Sequence, residues 1–176
     1  MIRLIFTIVL LCTMTFADQY RCTQSMIKAH TEVFGDAKID PFTSNVHGTL
    51  SMDKTPLSLT GTITIKAHDL ESDNKLRDKH MYETLQTKKY PLITFTIQKV
   101  QKAPNGLYRL HGILKLHGVA RTLDVPAHIT QDTQGVHILS KFSIKMTQFH
   151  IVPPKLFFLH VRNKVDILAD LHLVRG

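Results

Sequence analysis

From Gly48 onward, apolar and polar residues alternate at period two between turn signals, as in strands that bury one face and wet the other. Ile63 and Ile65 alternate with Thr62, Thr64 and Lys66, and Ile93, Phe95 and Ile97 alternate with Thr94, Thr96 and Gln98. The alternation continues from Val136 to Met146, and it sets Val165, Ile167, Ala169, Leu171 and Leu173 against Asp166, Asp170 and His172. Turns fall at Asp53-Lys54-Thr55-Pro56, at Pro104-Asn105-Gly106 and between Thr130 and Gly135. Short strands joined by tight turns predict an all-β antiparallel sheet of about eight strands, closed into a barrel or folded into a sandwich.

Two segments break the alternation. Lys75 to Thr87 places Leu76, His80, Met81, Thr84 and Leu85 at three- and four-residue spacing. That spacing predicts one or two helical turns with the apolar side on the sheet. Pro91 stops the helix, and the restriction it imposes on Tyr90 returns the chain to an extended form. The second break, Phe149 to Leu159 (FHIVPPKLFFL), is too rich in proline for a central strand and too apolar for an ordinary exposed loop. Ile151, Val152, Leu156, Phe157 and Phe158 either line and lid a barrel mouth or plug the core, and both readings stay open.

The N-terminus has the layout of a signal peptide. Met1 to Arg3 is basic, Leu4 to Phe16 is apolar, and Thr15 and Ala17 place small residues where a signal peptidase reads them. Cleavage is expected after Ala17. The apolar run is shorter than the ~20 residues that span a bilayer, and Leu11 before Cys12 argues against lipid attachment. Residues 18–176 then form a single domain long enough for a sizeable core. Cys22 would be its one cysteine, so no internal disulfide forms. A surface thiol, a homodimer bridge and an inert buried thiol all remain open for it.

The formal charge is +8, falling to +7 once Arg3 is removed. The lysines and arginines are scattered singly or in pairs such as Lys88-Lys89, without a long cluster or a nucleic-acid motif, which excludes nucleic acid as a partner. A basic surface of this kind is either simply solvated or drawn weakly and transiently to an anionic membrane. No Gly-x-Ser-x-Gly elbow, His-Glu-x-x-His or cysteine pair is present, so neither catalysis nor a cofactor is expected. Among the eleven histidines, His68 and His80 lie close in sequence to Asp69 and Asp73, but their spacings match no dedicated metal motif and no metal site is assigned. Arg77 and Asp78 read as an ion pair across a turn that fixes the helical segment.

The run DNKLRDKHMYETLQTKKYPLITF, Asp73 to Phe95, carries Asn74, Arg77-Asp78, His80-Met81, Tyr90-Pro91 and Phe95, and is followed by LHGVARTLDVP from Leu116 to Pro126. Taken together, these residues resemble the YceI-like family of lipid- and polyisoprenoid-binding proteins. The resemblance covers roughly Gly48 to Leu173. Asp18 to Val46 offers no match to the family's opening strand, which leaves closure of the barrel open. The chain also departs from the family at Glu71-Ser72, where a Ser-x-Thr strand end is more usual, and at Gln148-Phe149-His150-Ile151, where an aromatic-Gly-Ile step is usual.

The resemblance implies an extended lipocalin-like antiparallel barrel with a short helical insertion, enclosing a long isoprenoid or acyl chain. Its inward strand positions would be Ile93, Phe95, Ile97, Phe142 and Ile144, with Met81, Leu85, Ile151, Leu156 and Phe158 near the mouth and His80 at a ligand head group. The expected function is that of an exported, periplasmic carrier or store for a polyisoprenoid, a respiratory quinone or a fatty-acyl lipid. The alternative is an exported metal-binding or stress-protective protein whose barrel is filled, and a dense core without a cavity would favour it.

Overall fold

A computed structural model describes residues 17–33, 37–156 and 159–176. Its strands, in chain order, are β1 (Asp18–Val33), β2 (Ala37–Ile39), β3 (Phe42–Thr43), β4 (Val46–Met52), β5 (Thr60–Lys66), β6 (Leu92–Lys102), β7 (Tyr108–Leu116), β8 (Val119–Gln131), β9 (Val136–Lys145), β10 (Lys155–Leu156), β11 (Leu159–His160) and β12 (Lys164–Arg175). One helix, α1 (Lys75–Leu85), is inserted between β5 and β6. Eight of the strands pair antiparallel in the order β12-β9-β8-β7-β6-β5-β4-β1, and β1 pairs back onto β12 to close a barrel. The signal-peptide expectation for residues 1–17 falls almost wholly on residues 1–16, outside those described.

Closure comes from the segment Asp18 to Val46, which shows no match to the family's opening strand in its residues. β1 is sixteen residues long and lies against β4 from Asp18 to Arg21 and against β12 from Tyr20 to His30. Its alternation is hidden by a bulge between Thr23 and Met26, where Gln24 takes a φ of +30°. Ser25, almost fully buried there, donates its hydroxyl to the carbonyls of Thr23 (2.7 Å) and His172 (3.3 Å), and accepts from the His172 N–H (3.0 Å). An extra residue shifts the period-two phase by one, so no single alternation covers the strand.

The connections decide which end of the barrel is open. The turns β4–β5, β6–β7 and β8–β9 are short and lie at one end, where Leu50, Met52, Leu59, Ile97, Ile138 and Leu173 are buried to 1% exposure or less. At the other end lie α1, the segment between β1 and β4, the β7–β8 turn and the long β9–β12 connection. That end has a second core cluster, built from Leu114, Leu116, Ile144, Met146, Phe149 and Ile151 among others.

At the open end α1 runs for three turns rather than one or two, because both its ends are tied. Asn74 is the N-cap and accepts from the Arg77 N–H at 3.0 Å. Gln86 closes the helix in a left-handed conformation. Arg77 does not pair with Asp78. It reaches out to the Lys38 carbonyl (3.1 Å) and to exposed Asp73 (3.4 Å). Asp78 turns inward to 2% exposure and accepts from both the backbone N–H (2.9 Å) and the hydroxyl (2.6 Å) of Ser72. Neighbours on a helix project about 100° apart, so adjacent residues of opposite charge seldom meet. The latch is therefore Asp78 to Ser72, and Asp78→Ala should destabilise by about 1–3 kcal/mol, as expected for partly buried donors left unpaired. Arg77→Ala should cost about 1 kcal/mol or less, since its partners are largely exposed. Chemical denaturation of the two variants checks this, and equal losses would contradict it.

Candidate functional site

Behind α1 the barrel holds a cavity of about 650 Å³. Its wall is formed by Ile63 and Ile65 of β5, Ile93 and Phe95 of β6, Leu114 and Leu116 of β7, Phe142 and Ile144 of β9, and Val165 and Ile167 of β12. These are the inward members of each alternation, set side by side by the registers Ile65↔Ile93, Phe95↔Leu114 and Ile144↔Val165. Leu76, Met81 and Leu85 of α1 cover the mouth, joined by Ile151 and Pro154 from the β9–β12 connection. Charged and titratable side chains reach the cavity only at the rim, where the described ones are Arg77, His80, Glu83 and Lys155. A wall of this kind suits an apolar chain.

Ile93, Phe95, Phe142 and Ile144 therefore stand on the wall, Met81, Leu85 and Ile151 at the mouth, and His80 on the rim. Ile97 does not line the cavity. It points inward as expected, but lies two residues, or about 6–7 Å, further toward the closed end, where it packs into the core at 1% exposure. The backbone of Leu156 belongs to β10, whereas its side chain and the whole of Phe157 and Phe158 lie outside the described residues. Sequence reasoning missed Ile27, Ala29 and Thr31 of β1, which line the cavity in strict alternation once the bulge has reset the phase.

Among the described residues of the apolar loop, Phe149 is fully buried and Ile151 nearly so, whereas Val152 is 81% exposed. Phe149 thus plugs the core, and two motif residues hold it. His117 and Gly118, both at positive φ, form the two-residue turn between β7 and β8. The His117 Nδ1–H donates to the Phe149 carbonyl at 3.1 Å, since a carbonyl can only accept. The Tyr90 ring meets His117 edge-on and lies over Gly118, where a Cβ would come within 2.5 Å of it. The Tyr-Pro and His-Gly motifs thus brace the mouth rather than touch the cavity. His150, standing where a glycine is usual, takes a left-handed backbone at φ +56°, which costs a non-glycine residue about 1 kcal/mol.

Titration around the site is modest. Burial pushes the Cys22 thiol up, with a bond from Ser25 opposing it, so the thiol stays protonated at neutral pH. Cys22 is half-buried against the core and shields Gly48, where a Cβ would meet its sulfur at 2.6 Å. His30, on the outer face of β1, is raised chiefly by its bond to Asp40 and then by Glu32, and His30 in turn lowers Asp40. This clasp holds the segment between β2 and β3 against the barrel.

The four residues near 70 do not converge on a metal. His68 stacks on Tyr82 with ring centroids 4.1 Å apart, Asp69 accepts from Asn45, and Asp73 pairs with Arg77. Among the described residues, the ligand atoms that do approach one another are those of His137, Asp170 and His172, on the outside of the barrel.

A closed eight-stranded antiparallel barrel with an apolar interior behind a helical insertion defines a lipocalin-like binding barrel. The YceI-like domain matches residues 21–173, and the chain belongs to that family. The match includes most of β1, extending the family relationship upstream of Gly48. A UPF0312 protein of Shewanella sp. strain W3-18-1 and another of Shewanella putrefaciens are each 31% identical over 81 residues, 45% of this chain and 42% of theirs. The match thus spans about two fifths of these relatives' length. BcnA of Burkholderia cenocepacia shares the fold at a TM-score of 0.75 and 18% identity, with 84% of this chain and 94% of that one covered. A polyisoprenoid binding domain from Saccharophagus degradans superposes at 0.71 and 12% identity over 92% of this chain and all of that domain. A YceI protein of Campylobacter jejuni superposes at 0.62 and 20% identity over 75% of this chain and 81% of its own.

Proposed function

We propose that the protein binds a long-chain apolar ligand in the barrel cavity and serves as its carrier or store, with a polyisoprenoid, a quinone or a fatty-acyl lipid as the ligand class. The observation that carries this reading is the 650 Å³ cavity with an apolar wall and its charges confined to the rim. At ~30 Å³ for a water-sized group, the cavity has room for about twenty such groups. Each buried methylene contributes about 0.8 kcal/mol, so a fully seated chain gains on the order of 16 kcal/mol, against about 4–15 kcal/mol for association. The tail decides affinity. Arg77, His80 and Lys155 at the rim add orientation to a polar or anionic head group through bonds of about 1 kcal/mol each. Support for the ligand class comes from the family and from the polyisoprenoid binding domain that shares the fold. The cavity weighs against the filled-barrel alternative.

Export is part of the same reading, supported by the basic start, short apolar run and small residues at Thr15 and Ala17. Exposed Leu76 on α1 and Val152 beside the mouth would touch a membrane surface briefly during transfer, aided by the basic balance of the chain. Native mass spectrometry of the protein purified from its own host, with lipid extraction, tests both parts. A co-purifying long-chain lipid and a polypeptide beginning at Asp18 are expected. An empty barrel that also refuses quinones and fatty amides in titration would reject the carrier reading, and a retained leader or a lipid on Cys12 would reject processing after Ala17.

A further inference from the structure

The outer wall of the barrel carries a constellation unrelated to the cavity. His137 of β9 and His172 of β12 are directly opposed in the antiparallel ladder, and their rings stack with centroids 4.3 Å apart at an angle of 14°. Asp170, two residues back on β12, shares their face. Its Oδ1 lies 2.7 Å from His137 Nε2 and 3.4 Å from His172 Nε2, and one ligand atom from each residue falls within 4.8 Å of the others. We propose that His137, Asp170 and His172 form a surface site for a divalent transition cation of borderline softness, such as Zn²⁺, Ni²⁺ or Cu²⁺.

A lone histidine–aspartate hydrogen bond on a strand surface would need no such explanation. Here two imidazoles from different strands direct their Nε2 atoms at the same carboxylate oxygen, Asp170 Oδ1. A divalent cation takes the Nε2 lone pairs of the two imidazoles and the carboxylate together, each ring carrying its own proton on Nδ1.

The dimensions fit. Bonds of about 2.1 Å at a tetrahedral angle put ligand atoms about 3.4 Å apart. The His172–Asp170 separation already has that value, whereas the His137–Asp170 contact must widen. A water completes the set. Two imidazoles and a single carboxylate favour zinc, nickel or copper over magnesium or calcium, which demand more oxygen ligands.

The surroundings are suited to holding such a set. The backbone of His172 is clamped on both sides by the β1 bulge, through its N–H to Ser25 Oγ and its carbonyl to the hydroxyls of Ser25 and Thr23. The lateral neighbours in the ladder are neutral, with Thr130 beside His137 and Thr23 beside His172. Among the described residues no lysine or arginine pairs with Asp170. The other histidine–carboxylate cluster, His30 with Asp40 and Glu32, already has Lys28 on Asp40 and Arg162 on Glu32, so a cation there would meet resident positive charge.

Bound metal would pin β9 to β12 over the closed-end core residues Ile138, Leu171 and Leu173. The inference does not depend on the lipid reading. Isothermal titration of the untagged full chain with Zn²⁺ alone, accompanied by imidazole resonances in NMR, tests it. One saturable equivalent is expected, perturbing His137 and His172, and raising the melting temperature as metal is added. Asp170→Asn should weaken binding about tenfold or more, and the double variant His137→Ala/His172→Ala should remove it, whereas His30→Ala should leave it unchanged. Melting of the variants without metal shows that they are folded. No binding up to about 1 mM, or an affinity that survives in the double variant, would overturn the site.

Discussion

Phe142→Arg should abolish binding of a long-chain ligand, while Lys141→Glu, one residue earlier, leaves it nearly unchanged. Phe142 stands on the cavity wall, opposite Ile167 of β12, whereas Lys141 is exposed on the outer face. A guanidinium at position 142 would either sit unpaired in an apolar chamber or drag water into it. Either outcome removes several kcal/mol of the gain from burying the tail, a weakening of at least about 100-fold. Titrating both variants with an isoprenoid quinone and with a long-chain fatty amide measures this, and thermal melts confirm that each variant is folded. Equal losses from the two substitutions would mean that the wall residues have been assigned to the wrong face.

Phe149→Ala should lower stability by about 3–5 kcal/mol, the range for deleting a fully buried aromatic ring. In a domain of this size that corresponds to a fall in melting temperature of roughly 10 °C. Val152→Ala, in the same loop but 81% exposed, should fall within about 0.5 kcal/mol of the parent. The contrast follows from Phe149 sitting in the second core cluster with its carbonyl held by His117. If the two variants melt alike, the loop acts as a lid and not as part of the core.

The candidate site was legible where its residues alternate without interruption. Ile93, Phe95, Phe142 and Ile144 were found on one face of β6 and β9 because inward positions of a half-buried strand repeat every second residue. The same rule named Ile97, correct in face but wrong in depth, since alternation says which way a side chain points and nothing about how far along the barrel it stands. The β1 contribution of Ile27 and Ala29 was lost to the bulge at Gln24 and Ser25. The pairing proposed for Arg77 and Asp78 failed for a similar reason. Adjacency in sequence suggested contact, but the helix sends one side chain to the rim and the other to Ser72.

What the amino-acid sequence determined by itself is local: the strand periods, the turns at Pro104-Asn105-Gly106 and between Thr130 and Gly135, the helix that begins after Asn74, and the family motifs. These depend on interactions within a few residues, which the chain order spells out directly. Tertiary structure alone decided that β1 closes the barrel, that the short turns gather at one end and leave the other hollow, and that Phe149 plugs while Val152 does not. It also brought His137 to His172 and Asp170 across a strand pair. Those outcomes rest on register between segments up to about 150 residues apart, as with Ser25 and His172. A one-residue slip would reverse every face, so no reading of one segment in isolation reaches them.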